Sequence, residues 1–376
     1  MAMRYSVPVY RGLEESDRQR LIRDVRAAYA TAAESLPDEE ADPEEEAVGP
    51  TSLGDPVEIP PFEKLVGIDA SVYRQINAAL AVGKQHLMFY GPPGTGKTTL
   101  AQLVCGVLHD AYTMITGSSD WTSQDVIGGY QPVGTGNVRF IPGVLLQNFD
   151  RPLIIDELNR CDIDKVIGPL FTVLSEQKTT LPYRTDVGNP ASQAYVILPK
   201  PKPGTAEHEF APKPGWRIVA TINSMDKAAL YQMSFALTRR FGWIYVDVPS
   251  DLQGFLLAIM RRLDLIGDEA EPAGEMALTR IWRAVNEVRV IGPAPVLDML
   301  KTIREIDGGT DFLRAPVGDE ATAYLDGFYM YLLPMLDGIL HKDALDIAAG
   351  VTEALGLTEG NQKGSALHDR LVASAV

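Results

Sequence analysis

At 376 residues the chain has room for two domains and an appendage. Hydrophobic residues make up 45% and charged residues 22%, the balance of a globular protein, and no apolar run approaches the ~18 residues that a membrane span needs. Lys and Arg total 34 against 50 Asp and Glu, a formal charge of −16. That excludes a dedicated nucleic-acid module built on bulk positive charge, leaving only a local basic patch.

In chain order, the opening stretch MAMRYSVPVYRGLEESD carries no apolar signal core, which sets the expectation of a cytoplasmic protein. Residues 16–35 read as a helix, because Ser16 and Gln19 have capping-box spacing and Leu21, Val25, Ala28 and Ala32 recur on one face. Seven carboxylates between Asp38 and Glu46, broken by Pro43, read as a solvated linker, with an acidic docking tail as the alternative. From about Pro60 short apolar runs alternate with helical stretches. His86–Tyr90, Tyr112–Ile115, Pro152–Asp156, Arg217–Ile222 and Trp243–Val248 are strand candidates, and Thr98–Leu108 and Asp164–Glu176 are helical. Apolar strands that do not alternate, separated by helices, predict a parallel sheet covered on both faces, hence an α/β core. After Pro249 the pattern is helical over Leu252–Leu265, Glu275–Val288, Pro295–Ile306, Thr322–Leu340 and Asp343–Leu355, with a tail after Asn361. Two insertions interrupt the core: a glycine-rich hairpin over Gly128–Gly143 and a long proline-rich segment over Leu181–Gly215. The latter reads as a contact surface rather than core, since its prolines cannot donate to a ladder. The two cysteines, Cys105 and Cys161, read as free buried thiols.

The chemistry concentrates at the strand ends. Gly91–Thr98 reads GPPGTGKT, a glycine loop between a strand and a helix, and Thr99 continues the helix. Gly91, Pro92, Pro93, Gly94, Thr95 and Gly96 form a loop whose backbone N–H groups close around phosphate oxygens at a helix N-terminus. Lys97 reaches the β- and γ-phosphates, and the Thr98 hydroxyl ligates Mg²⁺. At the end of a later strand, Asp156 is placed to hold Mg²⁺ and Glu157 to act as general base on water. Asn223, ending the strand RIVATI, can orient that water; alone it would read as a turn residue. Arg239 and Arg240 close a helical stretch. They read either as charges complementing a helix dipole or as an arginine finger reaching a neighbouring subunit's γ-phosphate.

GPPGTGKT, then DELNR, ATINSMD and ALTRRF in order, resembles AAA+ ATPases of the helix-2-insert clade, which includes MoxR-type ATPases and the GTP-using McrB motor. The McrB side is the nearer. The resemblance implies a parallel-sheet P-loop AAA+ core over residues 61–248 with hairpin insertions. An all-helical lid over 249–376 follows it, and an N-terminal helix with an acidic linker occupies 1–60. It implies a homo-oligomeric, hexameric ring using ATP with Mg²⁺, GTP being the alternative, and both insertions facing the pore or ring surface. NSMD, at a strand end, suits a γ-phosphate sensor rather than a guanine reader.

This sequence departs from the clade at three points. Val290–Leu297 (VIGPAPVL) has no arginine where MoxR-type lids carry one, and Arg289 is near but not aligned. The DNA-reading domain of McrB has no counterpart, so direct DNA binding is left open. No nuclease signature appears, so an effector would be a separate polypeptide encoded nearby. Three readings compete: a McrB-like ring motor of a restriction or phage-defence system, a MoxR-type chaperone, and a nucleotide-gated scaffold.

Overall fold

The computed structural model describes residues 57–134, 137–224, 235–357 and 361–376. The expected helix over 16–35, the acidic stretch Asp38–Glu46, and Met225 and Asp226 of the NSMD segment lie outside the described residues.

Strand β1 (His86–Gly91) is buried along nearly its whole length, as its largely apolar sequence requires. Each edge of β1 takes a parallel partner, β9 (Ile218–Asn223) on one side and β10 (Phe241–Tyr245) on the other. Strand β5 (Leu153–Asp156) pairs parallel with β9, and β2 (Thr113–Thr116) with β5. The order is therefore β10-β1-β9-β5-β2, with β9 inserted between two strands that precede it in the chain. That crossover brings the C-terminal ends of β1, β9 and β5 together.

Two hydrophobic clusters cover the faces. Helices α1 (Ala70–Ala81) and α2 (Lys97–Leu108) pack over Leu87, Phe89, Ile154 and Val219. On the other face α5 (Ile163–Leu174), which follows the short helices α3 (Ser123–Val126) and α4 (Val144–Gln147) in the chain, buries Val166, Ile167 and Leu170 against Ile155, Ile218 and Ala220. Cys105 and Cys161 are buried and free, and burial pushes the Cys105 thiol up to about 12 and that of Cys161 up to about 11.

The glycine-rich insertion is an antiparallel hairpin, β3 (Gly128–Pro132) with β4 (Val138–Pro142), as the sequence predicts. The proline-rich insertion departs from expectation. It forms a three-stranded sheet of β6 (Thr179–Arg184), β7 (Ala194–Ile197) and β8 (Glu209–Phe210), and it contributes Leu181, Val196 and Ile197 as buried residues. Pro182 sits where the β6–β7 register shifts, and the remaining prolines fall between strands, so none removes a needed ladder bond. The two insertions also touch. Phe140 of β4 meets Tyr183, Tyr195 and Phe210 with ring centroids 5.0, 4.6 and 5.8 Å apart, and Arg184 N–H donates to the Tyr130 hydroxyl at 2.6 Å.

Beyond Pro249 the described residues are helical, packed on their own cluster around Trp282, Met299, Phe328 and Ile347. The helices are α7 (Leu252–Arg262), α8 (Ala277–Val288), α9 (Pro293–Ile306), α10 (Glu320–Gly327), α11 (His341–Ala354) and α12 (Gln362–Ala373). The continuous helix expected over Thr322–Leu340 does not form. After α10 the chain makes a wide π-type turn over Phe328–Leu332 and a tight 3₁₀ turn over Leu333–Leu336, because Pro334 lacks the N–H that would continue the ladder. The last strand also begins two residues earlier than expected, at Phe241, paired with His86. The described residues all belong to one compact unit. No helix among the described residues is long and apolar enough to cross a membrane.

Candidate nucleotide-binding site

The sequence-predicted residues converge where β1, β5 and β9 end. Gly91 is in register with Asn223, and Thr116 with Asp156. The glycine loop leaves β1 and enters α2, whose N-cap, Gly96, is left-handed at φ 85°. Lys97 is buried, and its Nζ donates to the carbonyls of Gly91 at 3.1 Å and Pro92 at 2.6 Å. Burial lowers its pKa from 10.5 to about 8, with Asp156 and Glu157 pulling the other way. The ammonium is thus held at the loop mouth with few compensating charges, a preformed position for an anion.

Thr98 Oγ1 donates to Asp156 Oδ1 at 2.6 Å, joining the start of α2 to the end of β5. Hydroxyl and carboxylate oxygens side by side are the hard donors that Mg²⁺ prefers, so these residues fit that ion. Glu157, next in the chain, has φ 51° and ψ 47°. Its carboxylate meets two partners: Asn223 Nδ2 donates to Oε1 at 3.3 Å, and Arg160 Nε lies 2.5 Å from Oε2.

These groups face a cavity of about 420 Å³ lined by the loop from Pro93 to Thr99, by Asp156, Glu157, Thr221 and Asn223, and by apolar walls. The walls come from two places, the segment before α1, which sequence reasoning did not single out, and the helical region, whose VIGPAPVL stretch it had marked only for lacking an arginine. Leu65, Val66 and Ile68 precede α1, while Phe255, Ile259, Pro293, Ala294 and Leu297 belong to the helical region. That region also bonds the loop directly: Gly292 N–H donates to Pro93 O at 2.9 Å and Ala294 N–H to Gly94 O at 3.1 Å. A side chain on Gly292 would collide with the Gly94 carbonyl carbon and sit 2.5 Å from Thr95 N, so the approach needs glycine. Among the described residues no arginine lines the cavity, and Arg289 instead donates to the carbonyls of Met335 and Asp337.

Gly91 and Pro92 do not line the cavity; they lie beneath it as acceptors for Lys97. Arg239 and Arg240 are not brought to it at all. They end α6 (Phe235–Arg240), where Arg240 Nη2 donates to Ser175 Oγ at 2.6 Å and the Arg239 side chain is exposed. Thr221 was also missed by the sequence reading. It is buried on β9, within hydrogen-bond distance of both Asp156 and Glu157, and a lone polar residue inside RIVATI was the signal for it.

Residues 86–241 match the family described as "AAA domain (dynein-related subfamily)". The Holliday junction branch migration complex subunit RuvB of Desulfosudis oleivorans is 34% identical over 86 residues, covering 21% of this chain and 25% of the relative. Subunit RuvB 2 of a Synechococcus species is 32% identical over 124 residues, 32% of each chain. The chain thus matches about a quarter to a third of these relatives' length. The solved Thermotoga maritima RuvB Holliday junction branch migration motor aligns over 81% of this chain and 87% of its own at 16% identity, with a TM-score of 0.42. The family match takes in both the glycine loop and the strand-end acids but stops short of the helical region, so over residues 86–241 the chain is similar to an AAA domain.

Proposed function

We propose that this protein hydrolyses ATP with Mg²⁺ as a ring of identical subunits, residues 61–248 holding the nucleotide and 249–376 acting as its lid. In this reading Lys97 and the loop amides bind phosphate oxygens, Thr98 and Asp156 hold the metal, and Glu157 takes a proton from the attacking water that Asn223 orients. Bound Mg²⁺ supplies charge neutralisation at the β- and γ-phosphates. The observation that carries the reading is the meeting of the three strand ends: the loop, both carboxylates and the strand-end amide line one cavity.

Adenine rather than guanine is supported by the cavity walls. The acids on the lining are Asp156 and Glu157, both engaged with Thr98, Arg160 or Asn223. Guanine carries adjacent N1–H and N2–H donors that adenine lacks and that call for a free carboxylate, whereas the remaining lining is largely aliphatic and aromatic.

Since Arg239 and Arg240 lie away from their own chain's cavity, the finger role falls to a neighbouring subunit. The downstream work falls to a separate partner protein, in a McrB-like or MoxR-type arrangement. The relatives' names offer a second reading, a motor acting on DNA, and the formal charge of −16 weighs against it.

The test is paired substitution. Lys97→Ala is expected to lose nucleotide binding, because Lys97 acts in the ground state, while Glu157→Gln binds but turns over at a small fraction of the normal rate. Normal hydrolysis by Glu157→Gln removes that residue from the mechanism. ATP turnover that rises on adding DNA, with no partner protein present, favours the DNA-motor reading.

A further inference from the structure

Among the residues lining the cavity, Thr221 stands out because its hydroxyl joins the two acids of the site. It lies on β9, 2% exposed, two residues before Asn223 and on the same side of the strand. Its Oγ1 is 2.6 Å from Asp156 Oδ1 and 3.0 Å from the backbone nitrogen of Glu157. An amide N–H can only donate, so the hydroxyl accepts from Glu157 and its single proton goes to the Asp156 carboxylate. One oxygen atom therefore fixes the carboxylate of the first acid and the main chain of the second.

Both ends of that bridge matter. Asp156 Oδ1 accepts two hydroxyls, from Thr98 and Thr221, each at 2.6 Å, which sets the carboxylate plane and leaves Oδ2 without a hydrogen bond among the described residues. Glu157 has φ 51°, a left-handed conformation that a glutamate adopts only when its surroundings impose it. Thr221 holds this turn from one side. On the other, a Cβ at Gly117 would lie 2.5 Å from Glu157 O, so the backbone there packs directly on the turn, and Gly117 N–H donates to Asp156 O at 2.7 Å. The left-handed turn in turn places the Glu157 carboxylate against Asn223.

We propose that Thr221 is a positioning residue for hydrolysis, its hydroxyl aiming Asp156 at the metal and Glu157 at the attacking water. This rests on the ATPase reading above. It separates the hydroxyl's role from that of a β-branched side chain merely filling the sheet.

The experiment compares Thr221→Val, which keeps the shape and deletes the hydroxyl, with Thr221→Ser, which keeps the hydroxyl and trims a methyl. Each is assayed for ATP turnover and for binding of a fluorescent ATP analogue titrated with Mg²⁺. Thr221→Val is expected to lower kcat about 100-fold with KM nearly unchanged, the cost of a misplaced catalytic group. Its Mg²⁺ midpoint for nucleotide binding rises about 10-fold, as loss of one hydrogen bond to a charged group implies. Thr221→Ser recovers both. A Thr221→Val protein with wild-type kcat and Mg²⁺ midpoint overturns the proposal, and so does a Thr221→Ser protein as slow as the valine variant. If Thr221→Val does not fold, Thr221→Ala against Thr221→Ser makes the same comparison. Wild-type protein without turnover overturns the ATPase reading as well; turnover in the wild type with an indifferent valine variant overturns only this inference.

Discussion

Lys97 gives the site a pH dependence whose direction and size follow from its burial. In the empty site its ammonium titrates at about 8, below the ordinary 10.5, because burial strips its water while Asp156 and Glu157 only partly compensate. A triphosphate places several negative charges beside Nζ and restores the charged form. At pH 7.5 most Lys97 side chains already carry the proton, so binding takes up little. As pH rises through 8 the empty protein loses that proton, binding must recover it, and affinity falls toward tenfold per pH unit. With the bound ammonium titrating at its ordinary value or above, affinity at pH 9.5 is about 30-fold below its plateau, equivalent to ~2 kcal/mol. The nucleotide is fully ionised throughout this range, so the dependence belongs to the protein. Calorimetric titration of ADP or a non-hydrolysable triphosphate, in two buffers of different ionisation enthalpy, reads both affinity and proton uptake. Uptake should approach one proton per site near pH 9, and Lys97→Arg, which stays charged, should abolish the dependence. An affinity that is flat from pH 7.5 to 9.5, with no buffer-dependent enthalpy, would refute the argument that burial of Lys97 precharges the site.

Two further outcomes follow from other parts of the molecule. An Arg239→Ala/Arg240→Ala subunit mixed with a Lys97→Ala subunit should regain part of the activity each lacks, since an arginine finger is worth about 10³–10⁵ in rate; a co-assembled mixture that stays inactive refutes the assignment in trans. His86, fully buried between Trp216 and Phe241 and accepting from Ile218 N–H, has its pKa lowered to about 3 from 6.5. Its folded form is neutral, so its contribution is complete above pH 6.5 and is lost as pH falls toward 3, about 2 kcal/mol by pH 5. Urea unfolding at pH 7 and 5 should show a smaller loss of stability in His86→Asn, and equal losses in the two proteins would remove His86 as the cause.

The parts of this molecule that the sequence disclosed are those written in consecutive residues. GPPGTGKT carries its own conformation, its helix start and its lysine, and β1 and β9 announce themselves as buried strands because every residue or nearly every residue is apolar. Thr221 was hidden by a different kind of fact. Its partners, Asp156 and Glu157, are far away in the chain, and only the crossover that slots β9 beside β5 brings the three together. The proline-rich insertion misled for a related reason. Its prolines were read as breaks, yet only Pro182 occupies a strand, and it does so at a register shift, leaving Leu181 and Ile197 free to reach the core.

The helical region shows the limit of reading side chains one at a time. VIGPAPVL offers no charge at the position where a sensing arginine was sought, and from the sequence alone that absence looks like a missing contact. The contact is made by the main chain instead. Amide hydrogens of Gly292 and Ala294 bond to the carbonyls of Pro93 and Gly94, and the close approach is permitted because position 292 has no Cβ. Every residue except proline has an amide hydrogen, so no residue type marks such a clamp in a sequence. What does mark it is a glycine immediately before a helix that begins with proline, a pattern that serves equally as an ordinary helix start. The helical region is therefore joined to the phosphate-binding loop by backbone geometry, and the lack of an arginine at this position bears on which groups can touch a γ-phosphate, not on whether the two parts are in contact.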